Sequence, residues 1–336
     1  MAGTSPDLTF SHFALRVDAE GKTAGVSAPV RLPLELDFSP YQVFPSPDGR
    51  YLVLMQAVEP GGRPYVVNQA TGQIKEPFDW RLGGGKFFGW HPDGRRFLFW
   101  IDSVALWLVD AETFETTTLA LPRSPVQGAI ISPDGLTVAY IAENRPVLGS
   151  LWLVSSAGSD AKPLFDAGTI SYLYPGAWSP DGTHIVYYGN CAPPDPTSGQ
   201  LCLYSLQSGE HQVIRLPFLG FSPAWSPDSR YLAATGLSPD DSPCEGGNLS
   251  ASEQQTCREA ASSIYIADIV TGEVRKVTAG IMPAWSPDGS MLAFISHRSR
   301  APEVWAIRAD GAGLQQLTTD GQAKRPELSW SREAEK

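Results

Sequence analysis

The 336 residues carry 25 Lys and Arg against 36 Asp and Glu, a formal net charge of −11. That balance repels a phosphate backbone and excludes nucleic acid as the expected partner, and no apolar run approaches the roughly 18 residues of a membrane span. Glycine (32), proline (29) and 10% aromatics, with only 18% charged residues, suit short strands joined by tight turns and argue against disorder or long helices.

The first ten residues lack the apolar stretch of a signal peptide. The chain is therefore expected to be cytoplasmic, or a mature form with an added Met. Residues 8–38 then supply two strand-like runs. Phe13-Ala14-Leu15-Arg16-Val17-Asp18 is followed by a Glu20-Gly21 turn and by Val30-Arg31-Leu32-Pro33-Leu34. They read as the third and fourth strands of a sheet unit.

From residue 40 to 322 one pattern recurs six times. Four copies read Ser-Pro-Asp-Gly, beginning at Ser46, Ser132, Ser179 and Ser286; His91-Pro92-Asp93-Gly94 and Ser226-Pro227-Asp228-Ser229 vary it. The aspartates, Asp48, Asp93, Asp134, Asp181, Asp228 and Asp288, are spaced by 45, 41, 47, 47 and 60 residues. A period near 45 is the length of a four-stranded sheet repeat. In each copy proline fixes φ, aspartate bonds nearby backbone N–H groups and glycine accepts positive φ, so the string is a tight turn.

A first strand leads into the turn, and an aromatic often ends it, as at Trp90, Trp178, Trp225 and Trp285. The second strand follows, as in Tyr51-Leu52-Val53-Leu54. The third alternates, as in Leu106-Trp107-Leu108-Val109, and the fourth closes the repeat, as in Val274-Arg275-Lys276-Val277. Period-two alternation bounded by turns marks strands, and no segment shows a helical period of useful length. The recurrent tryptophans are expected to be core wedges.

Leu328-Ser329-Trp330-Ser331 repeats the first-strand motif at the C-terminus; residues 326–331 would complete a sheet begun by the N-terminal strands. Size alone suggests two domains, but closed β folds often exceed the usual domain length. The expected fold is all-β: a single β-propeller spanning 1–336, with four-stranded antiparallel blades. Seven blades are expected, the last shared by both termini; six is the alternative. Such closure removes exposed sheet edges.

The turns between first and second strands are short and uniform, so function is expected at the opposite end, on the elaborated loops. Four cysteines fall there as two local pairs, Cys191 with Cys202 and Cys244 with Cys257, 11 and 13 residues apart. Neither spacing is a metal knuckle. Two disulfides bracing a binding rim in an oxidising compartment are expected; four unrelated thiols are the alternative. The second pair lies in a long insertion, about 236–262, which also carries Asp240, Asp241, Glu245, Glu253 and Glu259 and reads as a solvated acidic loop.

The loops entering the first strands offer Tyr41, Lys86, Phe87, Phe88, Gln127, Tyr172, Tyr174, Phe221, Met282, Lys324 and Arg325 as ligand contacts. His297 and Arg298 begin a loop at the same end. Aromatics on a rigid surface suit a protein or glycan partner. The acidic loop could otherwise attract a basic partner or a calcium ion, but calcium needs six to eight converging oxygens and no spacing supplies them, so no cofactor or metal is assigned. There is no Gly-x-Ser-x-Gly elbow, no His-Glu-x-x-His and no phosphate loop. No catalytic residue is assigned, and His297 is the one histidine to test.

The segment 281–321, with Pro283-Ala284-Trp285-Ser286-Pro287-Asp288-Gly289, Phe294-Ile295-Ser296, Arg298, Asp310-Gly311 and Leu317-Thr318, resembles the repeat of TolB-type propellers. The resemblance implies a non-catalytic, extracytoplasmic scaffold, periplasmic, secreted or at the cell surface, that binds a protein or cell-envelope component as a monomer. Two other readings remain open: a lyase or glycan-active enzyme with its site at the channel mouth, and the detached propeller of a prolyl-oligopeptidase-like peptidase.

Overall fold

The computed structural model describes residues 42–57, 61–78, 84–101, 105–119, 121, 126–144, 147–172, 178–189, 200–216, 220–237, 250–299 and 301–319, with four short N-terminal strands. Two compact units divide the chain, residues 1–116 and 117–336.

In the first unit the N-terminal strands nest as two hairpins. Leu15–Val17 pairs with Thr23–Val26, and Val30–Arg31 pairs with Ser11–His12. The strand facing Leu15–Val17 is therefore the run at Thr23, and not Val30 as the sequence pattern suggests. Repeat 1 comprises Gln42–Pro45, Tyr51–Ala57, Gly62–Asn68 and Ile74–Lys75, and repeat 2 begins with Gly85–Trp90, Arg96–Ile101 and Ala105–Asp110. Neighbouring strands are antiparallel.

The second unit continues the pattern. Repeat 3 contains Val126–Ile131, Thr137–Asn144 and Val147–Ser155. Strand Lys162–Tyr172 closes it and runs on to pair with His184–Gly189 of repeat 4. Trp178, expected to end a first strand, makes only an isolated bridge to Ile185. Repeat 4 adds Gln200–Ser205 and His211–Ile214. Repeats 5 and 6 are separate four-stranded sheets: Gly220–Trp225, Tyr231–Leu237, Ser262–Asp268 and Val274–Ala279, then Ile281–Trp285, Met291–Ser296, Glu303–Arg308 and Gln315–Gln316.

Burial follows strand position. Second strands are covered throughout, as at 51–55 and 291–296, because apolar side chains leave both of their faces. Fourth strands are mostly exposed. The core forms where consecutive sheets meet. Tyr51, Val53 and Met55 of repeat 1 pack with Phe97, Phe99 and Ile101 of repeat 2. Ile264 and Ile266 of repeat 5 pack with Trp285, Leu292 and Phe294 of repeat 6.

The turns form as their chemistry predicts. The Ser46 hydroxyl donates to Asp48 Oδ1 at 2.8 Å and accepts from the Tyr51 amide at 2.9 Å, while Asp48 Oδ1 accepts from the Arg50 amide at 3.0 Å. The same three bonds recur around Ser132, Ser179, Ser226 and Ser286. Glycine supplies the positive φ in five copies; in repeat 5 Ser229 adopts it, at φ 60°.

One element departs from the all-strand expectation. Ala251–Ala261 is an α-helix within the long insertion. Ser250 caps it, with Glu253 bonding back to the Ser250 amide as a capping box. Its sequence is polar all round, so no apolar stripe announced it.

Candidate functional site

At the loop end of repeats 5 and 6 the chain builds a braced platform. Glu253 lies in the first helical turn and Arg258 in the last, each matched to the charge at its end of the helix. The bond from the Ser250 side chain, reinforced by the Ser250 amide, holds the Glu253 carboxyl below its ordinary pKa. At the other end the Ser262 hydroxyl donates to the Arg258 carbonyl at 2.7 Å, which leads the helix into the third strand of repeat 5.

The helix also reaches repeat 6. Glu259 Oε2 lies 3.4 Å from His297 Nε2, and the His297 side chain is only 14% exposed. That nitrogen is buried, and it approaches Glu259 without hydrogen-bond geometry. Next in sequence, Arg298 is fixed from several sides. Its Nε donates to Ser296 Oγ at 3.0 Å and its Nη2 to Thr278 Oγ1 at 2.8 Å and the Ala279 carbonyl at 2.5 Å. The guanidinium carbon also lies 4.9 Å from the Trp305 ring centroid. Burial lowers the Arg298 pKa from its ordinary value.

Met282 belongs to the same repeat. It sits in the first strand at φ 57° and its amide donates to Thr235 Oγ1 at 2.9 Å. Ser222, at the equivalent place in repeat 5, has φ 50°. Each precedes a proline, a position where the α region is disfavoured, and each lies within a register shift of its strand. Backbone strain of this kind gathers at functional sites.

The other expected contacts are scattered. Lys86, Phe87 and Phe88 lie in the first strand of repeat 2, within the first unit, and not in a loop. Phe87 stacks on Phe44 at 4.2 Å between centroids and packs against the core, so its ring is structural. Gln127, exposed, begins a strand in the second unit. Tyr172 ends Lys162–Tyr172 opposite Tyr188, and Phe221 pairs with Thr235. Tyr41, Tyr174, Lys324, Arg325, Cys191 and Cys244 lie outside the described residues. Cys202 is buried in a third strand and Cys257 lies in the helix. The fold thus groups Met282, His297 and Arg298 in repeat 6. To them it adds Glu259, which the sequence offered only as one acid in a loop.

A concavity lies at the opposite end, among the turns of repeats 5 and 6. Its volume is about 1040 Å³, and Asp228, Arg230, Tyr231, Glu273, Trp285 and Asp310 are among its walls. Nothing in the uniform turn sequences marked it. Among the described residues no group of three or more His, Cys, Asp or Glu is placed to hold a metal ion, and no helix is long and apolar enough to cross a membrane.

Comparison with known proteins places these features in context. Residues 150–335 match the sequence family described as the TolB beta propeller domain. The uncharacterised peptidase YuxL of Bacillus subtilis is 27% identical over 199 residues, covering 52% of this chain and 30% of that protein. The chain spans between 20% and 56% of the length of three curated relatives that it matches. Among solved structures, TolB from Acinetobacter baumannii superposes with a TM-score of 0.52 at 16% identity, over 83% of this chain and 63% of that one. An oligogalacturonate lyase in complex with manganese superposes with a TM-score of 0.61 at 14% identity, over 93% and 87%. At these identities the structural matches establish the fold.

Proposed function

This chain belongs to the TolB β-propeller domain family, and from that membership we propose that it is a non-catalytic scaffold binding a protein or cell-envelope ligand through its loop end. One observation carries the reading: the insertion helix, capped by Ser250, meets the next repeat where Glu259 lies 3.4 Å from His297, beside an Arg298 held by three hydrogen bonds. A loop that was only a connection would not need such bracing. Rigid presentation lowers the ordering cost of binding, which is how preorganised surfaces gain affinity.

The same reading includes two disulfides, Cys191 with Cys202 and Cys244 with Cys257, in an extracytoplasmic setting. It also includes a ring of seven blades, the last completed by both termini. A disulfide closing a loop of this size restrains it by roughly 3 kcal/mol in the chain-entropy model.

The test is affinity capture from envelope extract with the intact chain, and with a variant whose residues 239–261 are replaced by a short Gly-Ser link. A stoichiometric partner retained by the first and lost by the second supports the reading. Equal retention by both excludes the loop end.

A catalytic reading rests on one observation, the buried His297 Nε2 beside Glu259 and Arg298, a grouping able to move a proton next to a fixed cation. Turnover of a polysaccharide that His297→Ala abolishes would favour it over the scaffold.

A further inference from the structure

We propose that the groove between repeats 5 and 6, at the turn end of the second unit, binds an extended peptide segment carrying lysine or arginine side chains. This surface is separate from the loop end, and the proposal stands or falls independently of the one above.

The groove lies where the turns of repeats 5 and 6 face each other. Between repeats 1 and 2 the turns touch: a Cβ placed on Gly94 would lie 2.5 Å from the Asp48 carboxyl carbon. Between repeats 4 and 5 the Ser229 hydroxyl bonds the Asp181 amide at 3.0 Å. Between repeats 5 and 6 the corresponding Gly289 meets Pro227 in ordinary contact, 3.5 Å from its Cβ position. Beside that contact the opening measures about 1040 Å³, at the upper end of small-molecule sites.

The chemistry of the walls selects the occupant. Five carboxylates, Asp228, Asp268, Glu273, Asp288 and Asp310, face two guanidines, Arg230 and Arg275. Both guanidines are already engaged by the protein. Arg230 Nη2 donates to Asp268 Oδ2 at 2.9 Å, and Arg275 donates to the Ala309 carbonyl across the groove. Glu273 on one wall and Asp310 on the other are exposed, Asp310 with Arg308 Nε 3.4 Å from its Oδ2, and the whole chain adds its net charge of −11 to the local field.

The apolar part of the wall also suits cations. The Arg230 guanidinium carbon already lies 5.1 Å from the Tyr231 ring centroid, and Tyr231 stacks on Trp285. An incoming cationic side chain with an alkyl stem would use the same mixture of ring face and carboxylate. The carboxylates are spread over both walls and do not converge, which suits charges spaced along a chain.

The probe is a fluorescein-labelled nonapeptide of alternating lysine and alanine. It is titrated with the intact chain by fluorescence anisotropy at about 150 mM salt, where screening acts over about 8 Å. Saturable binding is expected. Glu273→Gln with Asp310→Asn should weaken it about tenfold, whereas Glu112→Gln with Glu115→Gln, the same change of charge in the first unit, should alter it less than about twofold. Equal weakening by both pairs, or no saturable binding, would overturn the proposal.

Discussion

The hydroxyl of Ser229 accepts a hydrogen bond from the backbone amide of Asp181, 48 residues earlier, at 3.0 Å. Ser229 takes the place of the turn glycine and carries its positive φ of 60°. The strain and the bond therefore coexist in one residue, and the bond can be removed with or without the strain. Ser229→Gly removes both, and since left-handed strain costs roughly 1–2 kcal/mol and a net hydrogen bond contributes about 0.5–1.5 kcal/mol, it should be close to neutral. Ser229→Ala keeps the strain and loses the bond, and should be less stable than the glycine variant by about 1 kcal/mol. Urea unfolding of the two variants decides the order.

Neighbouring sheets are also joined by their tryptophans. Trp90 Nε1 donates to the Phe44 carbonyl and Trp285 Nε1 to the Ala224 carbonyl, both at 3.0 Å and both to the previous repeat's first strand. Trp285→Phe keeps an aromatic ring but leaves that carbonyl unpaired, and should cost about 1–3 kcal/mol. Trp225→Ala, which empties a core position packed among repeats 4 and 5, should cost about 3–5 kcal/mol. An unchanged melting temperature for Trp225→Ala would contradict packing by wedges.

Acid should unfold the protein through its turn aspartates. Burial of Asp93 works to raise its pKa, but the Arg96 and Arg95 amides, the Arg96 side chain and His91 outweigh it and bring the value down to about 2. Hydrogen bonds to the turn likewise hold Asp48, Asp134, Asp181 and Asp288 below the ordinary value. A folded-state pKa below the unfolded one gives stability that is present above about pH 4 and lost as pH falls through the folded value. Stability should therefore decline between about pH 4 and pH 2, and Asp93→Asn should flatten that decline. A slope unaffected by the substitution would remove Asp93 from the account.

The insertion helix should depend on its cap without governing the rest of the fold. Ser250→Ala removes the acceptor for the Glu253 amide, a loss worth about 1 kcal/mol. Amides within 253–261 should exchange faster in that variant, while those of strand Met291–Ser296 keep their protection. Uniform acceleration would mean that the helix belongs to the cooperative core.

The repeat was legible because its turn depends on a few residues with fixed roles. Ser, Pro, Asp and Gly each perform one local task, and the five serine copies make the same bonds. The order of strands followed from period-two alternation for the same reason. The helix was not legible as a helix, although Ser250 and Glu253 stand at capping-box spacing, because 251–261 has no apolar stripe to give it a period. Phe87 looked like a ligand contact because an aromatic near a loop and an aromatic in a core share the same letter; only its stacking on Phe44 separates them. The approach of Glu259 to His297 joins two repeats, and the turn groove is lined from two sheets. Neither is encoded in a local pattern.

The claim that the loop end is the binding end is tested most directly by hydrogen–deuterium exchange on the intact chain, alone and saturated with a partner captured from envelope extract. Slowed exchange is predicted across 250–262 and 296–303, with 286–290 unchanged. Protection confined to the turns, with the helix and the His297 segment exchanging as in the free chain, would contradict it.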